Sequence, residues 1–208
     1  MKTPALIRIV DDDPRVGASF RFVLEAVGHH VAAYDSSEDF LERDDFSREG
    51  CLLLDVRMPG LSGPELQLEL KARGCDLPVI FLTAHGEVRM AVEALQEGAV
   101  DFLEKPVEAE VLLPLIDKAC RAHHEIRALK SDLRDAERLW TTLTDAEREA
   151  AHLIGKGLPN RRIAELLETT EDAVRSRRAS IFLKLDVHNA VELSEFLHDL
   201  TDLREAAR

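Results

Sequence analysis

The sequence predicts an α/β doubly wound domain over residues 1–124, joined by a long helix to an all-α four-helix unit over 141–208. Three observations predict it. Short apolar, partly β-branched runs alternate with amphipathic stretches only in the first part, an unbroken 3-4 spacing of apolar residues fills the middle, and helical periodicity alone fills the end.

The strands are expected at ALIRIV (5–10), HVAAY (30–34), CLLLD (51–55), PVIFLT (78–83) and AVDFLEK (99–105). Five such runs separated by helices imply a parallel sheet covered on both faces. In the last part, helices are expected at 145–156, 160–168, 170–185 and 189–204. Three starts carry a cap signature: Thr144 with Glu147, Thr169 with Asp172, and Asn189 with Glu192, while Gly157 and Pro159 punctuate the first boundary. Between the two parts, Leu112, Leu115, Ala119, Ala122, Ile126, Leu129, Leu133, Ala136 and Trp140 follow a heptad seam with no Gly or Pro after Pro114. Residues 125–140 are therefore read as a helical linker continuous with the helix before them. The seam suits either one amphipathic helix lying on its own domains or a pair of such helices in a homodimer, with Leu115, Ile126, Leu129, Leu133 and Trp140 as its contacts.

The chain has 208 residues and a net charge of -13, with 45% hydrophobic residues. That apolar content is enough for a core and excludes a disordered chain. No apolar run is long enough to span a bilayer and no charged-then-apolar leader follows Met1, so the chain is expected in the cytoplasm. Cys51, Cys75 and Cys120 lack disulfide or metal spacing. The total charge argues against nucleic acid, but it is unevenly spread. Residues 1–124 hold 23 acids and 13 bases, residues 125–140 four of each, and residues 141–208 13 acids and 10 bases.

The acids of the first part have a pattern. Asp11, Asp12 and Asp13 follow the first strand, Asp55 ends the third, Thr83 the fourth and Lys105 the fifth. In an open parallel sheet, strand carboxyl ends meet at one edge, where ligands bind. Clustered carboxylates call for a cation, and an all-oxygen set suits Mg²⁺. A carboxylate nucleophile, a metal and two donors are what phosphoryl transfer to an aspartate requires. No glycine loop of the Walker type is present to hold ATP, which argues against an independent ATP-using enzyme.

The motifs IVDDDP, LLLDVRMPGLSG, FLTAHG and DFLEKP, in this order, resemble the receiver domain of two-component response regulators. The resemblance implies a flavodoxin-like sheet of order 2-1-3-4-5, phosphorylation of Asp55 by a histidine kinase, and no enzymatic activity beyond the domain's own phosphoryl transfer and autodephosphorylation. It implies that Asp11 and Asp12 are the metal-binding acids, with Asp12, Asp55 and the carbonyl of Arg57 as direct ligands; a one-residue slip involving Asp13 is the alternative. Thr83 and Lys105 become the phosphate-binding pair, Lys105-Pro106 a cis peptide aiming Lys105 into the pocket, and Phe102 an aromatic switch coupled to Thr83. The face made by 87–97, 99–104 and the helix from 108 is the element on which phosphorylation acts. Arg57 and His85 flank the expected path of hydrolytic water.

The stretches LTDAEREAAHLIGKGLPNRRIAELL and AVRSRRASIFLKLDVHNAVEL resemble the helix-turn-helix output domain of the FixJ/NarL (LuxR-type) subfamily. The chain departs from that pattern at Glu168-Thr169-Thr170, where the family often has Gly-Ile/Val-Ser, and at Arg177, where it often has His. Helical geometry places Val174, Ile181 and Leu185 on a core face and Arg175, Ser176 and Ala179 toward the other side. The latter three are the expected major-groove readers: Arg175 for guanine, Ser176 as a permissive donor, Ala179 for a thymine methyl. Arg177, Arg178, Lys184, Arg161, Arg162 and Lys156 are expected on phosphates, with Asn160 capping a helix that faces one.

Together these readings describe a regulator that takes phosphate on Asp55 and binds promoter DNA as a homodimer, paired through the 112–140 seam or through the fourth helix of the output domain, whose formation phosphorylation controls. A phosphate sink or protein-binding adaptor with a divergent helix-turn-helix is the main alternative. An RNA-binding antiterminator is more remote, because the helical part does not resemble that output domain.

Overall fold

The computed structural model describes residues 4–84 and 88–207, and the side chains of all of these but 88–90. Contacts divide the chain into two units, Met1–Ile126 and Arg127–Arg208.

In the first unit, β1 (Leu6–Val10), β2 (His30–Tyr34), β3 (Gly50–Asp55), β4 (Val79–Thr83) and β5 (Asp101–Glu104) alternate with α1 (Pro14–Ala26), α2 (Ser37–Arg43), α3 (Gly63–Ala72), α4 (Val88–Gln96) and the start of α5 (Ala109–Thr141). The sheet is parallel throughout, in the expected order β2-β1-β3-β4-β5. Strand alternation sorts the core into two layers. Ile7, Ile9, Cys51, Leu53, Ile80 and Leu82 face Leu24 of α1 and Leu112, Ile116 and Ala119 of α5. Val10, Leu52, Leu54, Val79 and Phe81 face Phe40 of α2, Leu66 and Leu70 of α3 and Ala94 of α4. β5 is shorter than the run 99–105, although the Val100 and Lys105 N–H groups still donate to the Val79 and Thr83 carbonyls.

The second unit contains the end of α5, then α6 (Asp145–Gly155), α7 (Asn160–Leu166), α8 (Glu171–Leu185) and α9 (Ala190–Ala206). Val174, Ile181 and Leu185 are buried together with Leu193, Leu200, Ala150 and Ile154, as their spacing predicts. Thr144 and Glu147 form the expected capping box, and Asn189 accepts from the N–H groups of Val191 and Glu192.

Two expected caps are displaced. α8 is capped by Thr170 and not Thr169, because Glu168 takes a left-handed conformation (φ 49) and the Thr169 N–H closes back on the Ala164 carbonyl at 2.9 Å. Asn160 does not cap α7. It is the first helical residue, and Pro159 in the cap position accepts from Arg162 and Ile163 through its carbonyl.

The seam is one continuous helix, α5, but most of it is used within the two units. Leu112, Leu115 and Ala119 pack in the core of the first unit, and Leu133, Ala136 and Trp140 in that of the second. Leu115, Leu133 and Trp140 thus have intrachain partners and are not free for a second copy. Ile126, 47% exposed, and the half-buried Leu129 are the seam contacts that these clusters do not contain.

Candidate functional site

The carboxyl ends of β1, β3, β4 and β5 bring Asp11, Asp55, Thr83 and Lys105 to one edge of the sheet. Asp11, Asp55 and Thr83 are buried. The Lys105 ammonium sits between the two acids, 2.6 Å from Asp11 Oδ2 and in contact with Asp55 Oδ1. The Lys105-Pro106 peptide bond is cis. Asp55 Oδ2 accepts from the Arg57 N–H at 2.8 Å. Burial pushes the Asp55 carboxyl above the usual carboxylate range, with Lys105 opposing that shift. Burial works against the Lys105 ammonium too, but its bonds to Asp11 and Asp55 hold its pKa above the ordinary value.

The three consecutive aspartates are separated by their roles in the backbone. Asp11 accepts from the Asp13 N–H at 3.0 Å, and Asp12 is exposed beside it. Asp13 is committed elsewhere: it caps α1, accepting from the Arg15 backbone and pairing with the Arg15 guanidinium at 2.7 Å. Those bonds hold its carboxyl down at about 2. The slip that would bring Asp13 into the pocket is therefore disfavoured.

Loop packing fixes the main chain of Asp55. A Cβ on Gly63 would lie 2.2 Å from the Asp55 carbonyl oxygen, so only glycine lets α3 start this close to β3. Sequence reasoning did not single out Gly63, although it ends the quoted stretch after Asp55. Phe102 is half-buried with its ring 6.1 Å from that of Phe81. Arg57 is exposed, and His85 and Glu87 lie outside the described residues.

Among the described residues no three His, Cys, Asp or Glu groups converge into a ready metal cage. Buried Asp11 and Asp55 with exposed Asp12 nearby carry more negative charge than the one ammonium balances. Such an all-oxygen set fits Mg²⁺, which keeps several waters and uses one or two carboxylates.

In the second unit, α7 and α8 form a helix-turn-helix. Arg175, Ser176 and Ala179 are exposed on α8, with the Arg175 guanidinium 2.7 Å from Asp172. Arg161 and Arg162 are exposed and share Glu165, and Lys156 is exposed at the end of α6. Arg177 is half-buried, as is Arg178, whose guanidinium lies over the Phe182 ring at 5.9 Å. Lys184 departs from the expectation of a phosphate contact. Its ammonium is bound 2.7 Å from buried Glu147, which also accepts from Ser180 at 2.6 Å. The need to balance a buried carboxylate takes this lysine from the basic face. Glu147 was legible as a cap partner only; its α8 partners lie 33 and 37 residues away.

Residues 7–117 match the family described as response regulator receiver domain, and residues 141–197 match bacterial regulatory proteins, luxR family. The chain belongs to the receiver–LuxR response regulators. This response regulator is 37% identical over 189 residues to the tetrathionate response regulatory protein TtrR of Salmonella typhimurium, covering 91% of this chain and 90% of TtrR. It is 34% identical over 193 residues to the transcriptional regulatory protein FixJ of Bradyrhizobium diazoefficiens, covering 93% of this chain and 94% of FixJ. Among solved structures, response regulator StyR superimposes with a TM-score of 0.88 at 36% identity, covering 94% of this chain and 99% of StyR. Full-length FixJ from B. japonicum gives 0.60 at 32% identity, covering 97% and 99%. The response regulator thus joins a receiver to a LuxR-type DNA-binding domain and serves phosphorylation-dependent control of transcription; it is not a classical enzyme. No described helix is long and apolar enough to cross a membrane.

Proposed function

We propose that this protein acts in the cytoplasm and that Asp55 is the phosphoacceptor, taking a phosphoryl group from a histidine kinase and directing the LuxR-type domain to promoter DNA. The observation that carries this reading is the Lys105 ammonium joining buried Asp11 and Asp55 at the carboxyl edge of the sheet. An Asp55 oxygen attacks phosphorus as the bond to the kinase histidine nitrogen breaks, giving an acyl phosphate that water later hydrolyses. Lys105 and the Thr83 hydroxyl donate to phosphoryl oxygens, which disengages Lys105 from Asp55. Asp12, Asp55 and the Arg57 carbonyl, with Asp11 beside them, would hold Mg²⁺, which would supply positive charge to neutralise the phosphoryl oxygens. Thr83 drawn toward phosphate leaves space for Phe102, and Arg57 and His85 govern access of hydrolytic water.

In the output domain, Arg175, Ser176 and Ala179 read base edges in the major groove. Arg177, Arg178, Arg161, Arg162 and Lys156 contact phosphates, with Asn160 at the start of α7 beside them. A homodimer formed on phosphorylation engages two half-sites, with Ile126 and Leu129 as the seam contacts left for pairing.

DNase footprinting with and without beryllofluoride, on wild type and Asp55→Asn, tests the reading. Protection is expected to strengthen with beryllofluoride only in the wild type. Equal protection in every state would refute phosphorylation control through Asp55.

A further inference from the structure

The loop between β3 and α3 carries the groups that follow Asp55, and both its ends are fixed within the sheet region. At one end the Val56 N–H donates to the Leu82 carbonyl at 3.1 Å; at the other the Gly63 N–H donates to the Val56 carbonyl at 3.1 Å. Its apex, at Gly60 and Leu61, meets a side chain from a different element. Glu38, in the first turn of α2, accepts the Leu61 N–H through Oε1 at 2.9 Å. The approach is close enough that a Cβ on Gly60, which has φ +77, would lie 2.5 Å from that oxygen. Gly60 thus has a left-handed backbone that favours glycine, and a Cβ there would push the Glu38 carboxylate off the Leu61 N–H. The α2 backbone and the Leu61 N–H hold the Glu38 carboxyl below the usual range.

We propose that Glu38 is a positioning residue for phosphoryl transfer: its carboxylate fixes the Gly60-Leu61 apex and thereby the backbone of Arg57, whose N–H holds Asp55 Oδ2. The proposal rests on the assignment of Asp55 as acceptor. Glu38 touches neither the phosphoryl group nor the acceptor, and acts through one charge-assisted backbone bond. An outer partner hydrogen-bonded directly to a metal ligand is worth about 10–100-fold in metal binding, and Glu38, which reaches the Arg57 backbone only through the loop, is worth less. The effect therefore falls first on the Mg²⁺ requirement.

The full chain is phosphorylated with an acyl phosphate donor across a Mg²⁺ titration, in wild type, Glu38→Ala, Glu38→Gln and Asp55→Asn, with thermal midpoints measured in parallel. Glu38→Ala is expected to raise the Mg²⁺ concentration at half-maximal rate about threefold, below the range of a partner bonded directly to a ligand. Glu38→Gln, which keeps an oxygen acceptor for Leu61, is expected to restore most of the loss. A half-maximal Mg²⁺ concentration in Glu38→Ala equal to wild type overturns the proposal. So does a Glu38→Gln variant as impaired as Glu38→Ala, or a fall in midpoint in Glu38→Ala without a change in the Mg²⁺ requirement. Failure of the underlying assignment shows separately, as wild-type phosphate uptake by Asp55→Asn with Glu38 intact, and it removes the proposal with it.

Discussion

The ammonium of Lys184, near the end of α8, lies 2.7 Å from the carboxylate of Glu147, in the first turn of α6. The same carboxylate closes the α6 capping box through the Thr144 N–H and accepts from Ser180. One buried acid therefore sets the position of the helix that presents Arg175, Ser176 and Ala179. Burial raises the Glu147 pKa, but the bonds from Lys184, Ser180 and Thr144 outweigh it and bring the group to about 2. A folded pKa below the ordinary 4.5 means that its stabilisation is present above pH 4.5 and disappears as pH falls toward about 2. Glu147→Gln is expected to cost about 1–3 kcal/mol at neutral pH and to flatten the loss of stability through that window. Urea unfolding of the full chain followed by Trp140 fluorescence measures both.

The same ion pair predicts which basic residues contribute to the salt dependence of DNA binding. Lys184→Met is expected to lower stability while leaving the slope of log K against log salt unchanged. Arg161→Ala is expected to reduce that slope by about 1, and Arg175→Ala to cost about 1–3 kcal/mol with relaxed preference at one base position. Fluorescence anisotropy across a salt series separates the three outcomes.

Glu168 holds a left-handed φ of 49 at the turn of the helix-turn-helix. A non-glycine residue there costs about 1–2 kcal/mol. Glu168→Gly is expected to stabilise the protein by about 1 kcal/mol, reduced by the greater unfolded-state entropy of glycine. The check is an increased denaturant midpoint with an unchanged m-value.

The divided seam predicts opposite responses along one helix. Ile126 is 47% exposed, whereas Trp140 is 8% exposed and packs edge-on against His152 at 5.4 Å. Trp140→Ala is expected to cost about 3–5 kcal/mol by leaving a cavity in the core. Ile126→Glu is expected to change monomer stability by less than about 0.5 kcal/mol and to abolish dimerisation in beryllofluoride, read by light scattering. A dimer unchanged by Ile126→Glu would remove the seam from the interface.

Much of this was legible in local pattern. Five apolar runs gave the strands to within two residues, because alternation across a pleated sheet and its turns is a short-range property. The 3.6-residue period likewise placed Val174, Ile181 and Leu185 inside and Arg175, Ser176 and Ala179 outside, where the structure has them. Asp11, Asp55, Thr83 and Lys105 group from topology alone, since parallel strands carry their ends to one edge. The displaced cap at Thr170 was not legible, because it depends on the dihedral of Glu168, which residue identity would have steered away from the left-handed region.

Local pattern dictates the two kinds of unit and the strand and helix faces, and it groups the candidate acceptor with its donors. The units and faces follow from periodicity and the grouping at one edge from parallel topology, whereas Asp55 as acceptor is what the resemblance to receiver domains implies. The net charge of -13, taken whole, pointed away from nucleic acid, and dividing it by segment reversed that reading. Packing in three dimensions settles which charges are available. It gave Asp13 to Arg15, Lys184 to Glu147 and the ends of the seam to two separate cores. The reason is physical: an ion pair or a packed contact is chosen by distance in space, and a linear pattern carries that distance only where the partners share one helix, strand or turn.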